Sequence, residues 1–249
     1  MKKIILSTII ASATLMAGVT LSPEKLIEIK NSTKVLQDPI LNIENGEDIG
    51  SVYYLKLIAN GGSGGKRSLE AFVDKKTGDI FLGAGFDING KKYEFPINKE
   101  MIKESVALTY GTGSKILYVV TDPECPYCTK FAKESAGKLS EYTVNVILMP
   151  LAMHKNAKPM IDYIISGKDN IEKAHRYKEL MNGDLSYKEN KYDEKRLTAY
   201  VEKSMKASVE LNVKGTPSFY IEKEDNIKPI GWVELLNPEE NKKVIKEKK

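Results

Sequence analysis

The feature of this 249-residue sequence that most clearly suggests chemistry is a pair of cysteines in the run Cys125-Pro126-Tyr127-Cys128. They are the only two cysteines in the chain. If a helix begins at Cys125, unpaired N–H groups and the positive end of the helix dipole stabilise a thiolate there. Pro126 suits the first helical position because it has no N–H to leave unpaired. The spacing places both sulfurs on one face of the helix.

This arrangement predicts thiol–disulfide exchange. We expect Cys125 to be exposed and to attack a substrate disulfide, and Cys128 to lie buried and to attack the resulting mixed disulfide, which releases the product. A purely structural disulfide is a weaker interpretation, because closing so short a loop stabilises a protein by only about 2 kcal/mol. A chain of this length also folds on its apolar core without such a bond.

A metal site is the other alternative for the cysteine pair. Structural zinc usually takes four ligands, and the only histidines, His154 and His175, have no close ligand spacing. His154 is expected to be a loop or surface residue, and His175 lies in a polar helical segment. We therefore expect neither a metal nor a cofactor.

A second element stands later in the chain, where Gly215-Thr216-Pro217 precedes an expected strand from Ser218. The Thr216–Pro217 bond is a candidate for the cis form, which is rare and usually purposeful. A Thr-Pro turn before a strand is by itself mostly just a turn. This Thr-Pro turn is of interest because it comes after the cysteine pair, with a long helical segment between the two.

The elements around the cysteines predict an α/β domain with a helical insertion. The run from Ile116 to Thr121 is apolar almost throughout, as a central strand requires. The other expected elements are a helix from Pro126 to about Leu139, a strand over 142–151, helices within 155–179 and from 193, strands over 218–222 and 228–233, and a last helix over 238–246.

The first half of the chain has a different pattern, with strands expected between residues 50 and 96. Asn89-Gly90 is a strong hairpin signal. The glycines of the segment Gly61 to Gly65 are expected to form a hairpin tip, because a phosphate-binding loop would end in Gly-Lys-Ser/Thr before a helix. The pattern predicts an α+β unit with a small antiparallel sheet.

The boundaries expected from these patterns give four segments. Residues 1–17 are a targeting signal, 18–97 an N-terminal domain, 98–113 a linker helix and hinge, and 114–249 the cysteine-bearing domain. The linker helix is expected over 101–110, with Gly111 as its stop.

The signal at the N-terminus combines Lys2 and Lys3 with an apolar run to Ala17, after which cleavage is favoured. That run is shorter than the roughly 20 residues of a spanning helix, so we expect export without membrane insertion of the mature chain. The formal charge is +4 and falls to about +2 without the signal, which gives no reason to expect nucleic-acid binding.

The run from Leu117 to Cys128 resembles the active-site strand and helix of the DsbC/DsbG group of periplasmic disulfide isomerases, which belong to the thioredoxin-fold family. Val213 to Pro217 resembles the cis-proline loop of that group, and Phe72 to Gly90 is similar to its small dimerisation domain. Some members carry a second disulfide in the catalytic domain, and this chain has no cysteines to form one.

The resemblance implies an α+β N-terminal dimerisation domain, a thioredoxin-fold catalytic domain and a V-shaped homodimer. It implies that Pro217 is cis and lies beside Cys125, and that Thr216, Pro217, Pro126 and Tyr127 contact the substrate. The implied substrates are cysteine-containing exported proteins in the periplasm. A membrane reductase of the DsbD type would keep the thiols reduced.

Three functions stay open at the level of sequence besides disulfide isomerase or reductase. The first is a dimeric disulfide oxidase, recharged by an oxidase partner. The second is a reductase of single oxidised cysteines. The third is a chaperone that binds unfolded chains without redox turnover.

Overall fold

The computed structural model describes residues 18–61, 66–223 and 226–237. The chain divides between Glu94 and Phe95 into two compact units. The expected targeting signal, most of the glycine segment and the expected last helix lie outside the described residues. Among the helices that are described, none has both the length and the apolar character needed to cross a bilayer.

The first unit is an antiparallel sheet whose five strands pair in the order of the sequence. They are β1 (Val19–Thr20), β2 (Leu41–Asp48), β3 (Val52–Asn60), β4 (Lys66–Asp74) and β5 (Ile80–Leu82). Helix α1 (Pro23–Ser32) begins at Ser22, whose side chain accepts a hydrogen bond from the Lys25 N–H. Ile29 of α1 and Leu55 and Leu57 of β3 belong to the core of this unit.

The predicted antiparallel sheet is confirmed, but several of its strands differ from the expectation. Strands β1 and β2 were not predicted, and the polar residues of β2 hide the alternation that marks a strand. The strand that the sequence predicts over 80–88 ends at Leu82, and the one predicted over 91–95 is reduced to a bridge at Lys92. The predicted turn at Asn89-Gly90 is present, and a bridge between Phe86 and Lys92 closes it.

The second unit is a mixed five-stranded sheet with the order β10-β9-β7-β8-β6. The strands are β6 (Leu108–Tyr110), β7 (Lys115–Thr121), β8 (Tyr142–Leu148), β9 (Ser218–Lys223) and β10 (Asn226–Pro229). Central strand β7 is parallel to β8 and antiparallel to β9.

Strand β7 is apolar on both faces because each face meets a separate core. Leu117 and Val119 belong to one buried cluster, and Tyr118 and Val120 belong to another. Alternating side chains of a strand point to opposite faces of its sheet, so β7 is covered on both sides. This confirms the buried-strand interpretation of the run.

Helices of the second unit include the predicted insertion between β8 and β9. Its members are α4 (Ala157–Ile165), α5 (Asn170–Met181) and α6 (Glu194–Glu210), and α6 begins at the predicted cap Asp193. Helix α3 (Pro126–Glu134) ends before the predicted Leu139, and the predicted strand over 228–233 instead contains the end of β10 and the start of α7 (Trp232–Leu236).

The predicted linker helix is wrong in extent and in place. Helix α2 covers only Lys99–Glu104, and the residues that follow form β6, which pairs with β8. Ile102 is fully buried in the same cluster as Tyr118. The segment therefore belongs to the second unit, because its apolar side chains complete that unit's core.

Candidate active site

The turn between β7 and α3 places the cysteine pair. Strand β7 ends at Thr121, and Cys125 is the extended residue that precedes α3, with φ −72° and ψ 122°. Pro126 occupies the first turn of α3, as predicted. Cys125 thus stands where free N–H groups and the helix dipole favour a negative charge.

Cys125 lies under the loop that contains Thr216 and Pro217. Its Sγ is 3.6 Å from the Thr216 carbonyl oxygen, and the Thr216–Pro217 bond is cis, as the resemblance implied. The predicted exposure of Cys125 is wrong, because only 4% of the residue is exposed. Pro126 and Tyr127 beside it are exposed.

Cys128 is the deeper of the two thiols, with 1% of the residue exposed. Burial raises the pKa of Cys128 to about 11, although hydrogen bonding by the Thr121 side chain and the Asp122 N–H lowers it in part. Both cysteines are free thiols. At neutral pH, Cys128 is therefore a protonated thiol that ionises only transiently.

The hydroxyl group of Thr216 is buried beside this pair. It lies near enough to Cys128 to lower the pKa of that thiol. Within the described ranges, however, Thr216 Oγ1 has no partner of good hydrogen-bonding geometry. The Thr216 hydroxyl group is therefore a close neighbour of the Cys128 sulfur and does not form a hydrogen bond to it.

Sequence reasoning missed a polar network behind the cysteines. The carboxylate of Asp122 is fully buried and accepts hydrogen bonds from the Leu151 N–H at 2.7 Å and from His154 Nδ1 at 2.9 Å. Glu124 accepts hydrogen bonds from the backbone and side chain of Asn156. The segment after β8 is thereby fastened to the active-site turn.

A signal for this network was present in the sequence. Asp122 directly follows β7, and His154 comes six residues after β8 ends. Because β7 and β8 are parallel, their carboxyl ends meet at one edge of the sheet, where polar side chains from both loops converge. His154 lies in a loop, as predicted, but it is not a simple surface residue, since its side chain is only 17% exposed.

In the ranges that the structure covers, no three or more His, Cys, Asp or Glu side chains are grouped so that they could hold a metal ion. The two cysteines have their contacts with backbone groups of Asp122 and Thr216. The site as described is thus a dithiol enclosed by hydrogen-bonding groups.

The chain belongs to the thioredoxin-like family, because the family model described as a thioredoxin-like domain matches residues 102–247. The match contains β7, α3, the helical insertion and the Thr216–Pro217 loop. No curated protein matches the chain.

Several solved structures are similar to the chain. DsbG of Helicobacter pylori has 16% identity and a TM-score of 0.40, with 78% of this chain and 100% of that chain covered. The thiol-disulfide exchange protein alpha-DsbA2 of Wolbachia pipientis has 18% identity and a TM-score of 0.42, with 59% and 90% covered. The catalytic domain of Proteus mirabilis ScsC has 16% identity and a TM-score of 0.37, with 57% and 93% covered.

Proposed function

We propose that the protein is an exported thiol–disulfide oxidoreductase, and that it acts chiefly as an isomerase or reductase on misfolded or oxidised periplasmic proteins. The observation that carries this proposal is a pair of free thiols at the start of α3, of which Cys125 adjoins the Thr216 carbonyl. The first thiol is placed for ionisation and the second is kept protonated by burial. That asymmetry is what a two-step exchange needs.

The first step is attack by the Cys125 thiolate on one sulfur of a substrate disulfide. A new bond joins Cys125 to that sulfur, the substrate S–S bond breaks, and the second substrate sulfur leaves as a thiolate. Cys128 then loses its proton to solvent and attacks Cys125. The Cys125–Cys128 disulfide forms, and the substrate leaves with two thiols, reduced by two electrons.

In isomerisation, the released substrate thiolate attacks elsewhere in the same chain before Cys128 resolves the mixed disulfide. Cys125 is then regenerated as a thiolate, and no net electron transfer takes place. A resolving thiol that ionises only transiently favours this outcome, because it leaves time for rearrangement. A membrane reductase of the DsbD type would return any oxidised pair to the dithiol.

The loop above Cys125 supplies a docking edge for the substrate. In the reduced site the Cys125 thiol faces the Thr216 carbonyl oxygen. Once Cys125 ionises it no longer has a proton to donate, so that carbonyl becomes available to a substrate backbone N–H. Pro217, Pro126 and Tyr127 lie around the same point and would contact the substrate chain.

We also propose that the protein forms a homodimer through its first unit. Strand β5 is an edge strand, and exposed apolar side chains extend from it into the segment that follows. This β5 surface consists of Phe81, Leu82, Phe86 and Ile88, with Ile88 fully exposed. A second copy of the same surface is the occupant we propose, because an unpaired apolar edge is stabilised by pairing with its equivalent.

Two matched variants test the proposed chemistry. Cys125→Ser should abolish the reactivation of a scrambled, disulfide-containing ribonuclease. Cys128→Ser should retain attack and accumulate a mixed disulfide that survives on a non-reducing gel. Reactivation by Cys125→Ser at the wild-type rate would overturn the assignment of Cys125 as the attacking thiol.

Acid-quenched alkylation of the protein from intact cells tests the direction of exchange. We expect both thiols to be mostly reduced, because an isomerase or reductase needs a free attacking thiolate. Mostly oxidised cysteines would instead favour a disulfide oxidase that donates its bond to newly exported chains.

A further inference from the structure

Asp122 contacts the reactive turn through both its backbone and its side chain. Its carbonyl oxygen accepts a hydrogen bond from the Cys125 N–H at 3.0 Å, and its own N–H donates to Cys128 Sγ at 3.4 Å. Its carboxylate accepts from the Glu124 N–H at 2.8 Å, in addition to Leu151 and His154. One buried residue therefore holds the backbone around both sulfurs.

The contact with His154 joins two side chains. In the tautomer that carries its proton on Nδ1, His154 donates to Asp122 Oδ2 at 2.9 Å. The other two partners of this carboxylate are backbone N–H groups, which are fixed in place by the chain. His154 is thus the only side chain that anchors Asp122 within the described ranges.

We propose that the Asp122–His154 pair positions the Asp122 N–H on the Cys128 sulfur, and that His154 thereby sets the rate at which Cys128 resolves a mixed disulfide. This inference rests on the proposed function, since it concerns the second step of the same exchange. His154 is a positioning residue in this account, because it touches Asp122 and not a reacting atom.

Loss of the His154 contact acts on Cys128 through Asp122. Asp122 becomes less tightly held, so its N–H, 3.4 Å from Cys128 Sγ, stabilises the Cys128 thiolate less well. The titratable groups that act on Cys128 are Cys125 and Tyr177 of α5, and neither changes in this substitution.

Attack by Cys125 and resolution by Cys128 can be measured separately with Ellman's reagent. Each of the two steps releases one coloured thiolate from the reagent. Attack of Cys125 releases one nitrothiobenzoate and forms a mixed disulfide. Attack of Cys128 on that bond releases the second, leaves the Cys125–Cys128 disulfide and transfers one proton from Cys128 to solvent. Stopped-flow absorbance of the reduced full-length protein resolves the two releases.

His154→Leu should slow the second release about tenfold and leave the first unchanged. Tenfold corresponds to about 1.4 kcal/mol, which is within the range for a typical intramolecular hydrogen bond. His154→Asn should restore most of the rate, because its amide N–H lies near the position of Nδ1. His175→Leu is the matched control, since His175 is exposed and pairs with Glu179 at the surface.

Three results would overturn the inference. In the first, His154→Leu makes the second release as fast as the wild type does. In the second, His154→Leu slows both releases equally. In the third, His154→Asn makes the second release as slowly as His154→Leu does. If His154→Leu does not fold, His154→Gln replaces it, because its amide extends beyond the Nδ1 position and should also slow only the second release. Absence of any second release in the wild type would instead count against the proposed function.

Discussion

The two sheets of this protein have five strands each and are built in opposite ways. In the first unit every strand pairs with its neighbours in the sequence, and the sheet ends in an edge that carries exposed apolar side chains. In the second unit the central strand β7 pairs with β9, which lies across the whole helical insertion. The first sheet is thus a meander of strands that are neighbours in the sequence, whereas the second sheet pairs strands that are far apart in the sequence.

The contrast shows what each unit can offer. A meander leaves its last strand unpaired on one side, which makes it suited to association. A sheet covered on both faces holds the end of its central strand rigidly, which makes it suited to placing reactive groups. We therefore expect substitutions in the second unit to affect chemistry and those in the first to affect assembly.

The largest effects should come from matched truncations of the two cores. Leu57→Ala in β3 and Leu117→Ala in β7 each remove a fully buried side chain, and each should lower the free energy of unfolding of its own unit by about 3–5 kcal/mol. Peptide-resolved hydrogen exchange measures the two units separately. Only Leu117→Ala should slow the reaction of Cys125 with Ellman's reagent, and slowing by Leu57→Ala would contradict the division of roles.

A somewhat smaller effect is expected where a buried charge loses its partner. Arg196 donates hydrogen bonds to both carboxylate oxygens of the fully buried Asp162, at 2.8 and 3.0 Å. Arg196→Ala should cost the second unit about 3 kcal/mol, because it leaves that carboxylate underpaired. The control Glu28→Ala in α1 removes an exposed ion pair with Lys25 and should change the free energy of unfolding far less, because solvent screens such pairs. Chemical denaturation measures both.

Alkaline pH should destabilise the second unit more than the first. Burial raises the pKa of Tyr110, Tyr118 and Tyr220 to about 12, and it raises the pKa of Tyr54 in the first unit. These phenols stay protonated when folded, so the stability they confer is complete below pH 10 and is lost as the pH rises from 10 towards 12. Each tyrosine that releases its proton only on unfolding lowers the free energy of unfolding by about 1.4 kcal/mol per pH unit in this range.

The measurement uses fluorescence of Trp232, the single tryptophan, which lies in the second unit. The melting temperature of the second unit, reported by Trp232, should fall steeply above pH 10. The melting temperature of the first unit should fall less steeply, and it is reported by a variant that carries Tyr53→Trp and Trp232→Phe. Equal slopes in the two reporters would show that the buried tyrosines of the second unit do not dominate its alkaline stability.

The smallest change in stability is expected at the β5 surface. Ile88→Lys replaces a fully exposed side chain, so the free energy of unfolding should change by less than about 0.5 kcal/mol. Sedimentation should nevertheless show a shift from dimer to monomer, because a charge is introduced into the proposed contact. Lys76→Glu, at an exposed turn of the same unit, is the control. An unchanged dimer would remove this surface from the proposal.

Much of the fold was predictable because strong local patterns agree with their tertiary setting. The apolar run of β7, the Asn89-Gly90 turn and the cap at Asp193 each specify structure within a few residues. Errors arose where distant contacts decide. Residues 108–110 form a strand only because β8 lies beside them, and a sequence window there cannot show that partner.

The site follows the same division. The positions of Cys125 and Cys128 at the start of a helix follow from local spacing, and the structure places them there. The burial of Cys125 does not, because the group that covers it lies far along the chain. The contact between Asp122 and His154 was overlooked because these residues are 32 positions apart, and the parallel pairing of β7 and β8 brings them together.

The contact between Cys125 and Thr216 joins residues 91 positions apart, which has a consequence for the newly synthesised chain. A chain that emerges from its N-terminus presents both thiols well before their cover exists. During that interval the cysteines are open to any oxidant or passing thiol. A newly made molecule should therefore be alkylated rapidly at both thiols. Cys128 should become resistant once residues 216 and 217 are in place, whereas Cys125 should keep the reactivity that the proposed exchange needs.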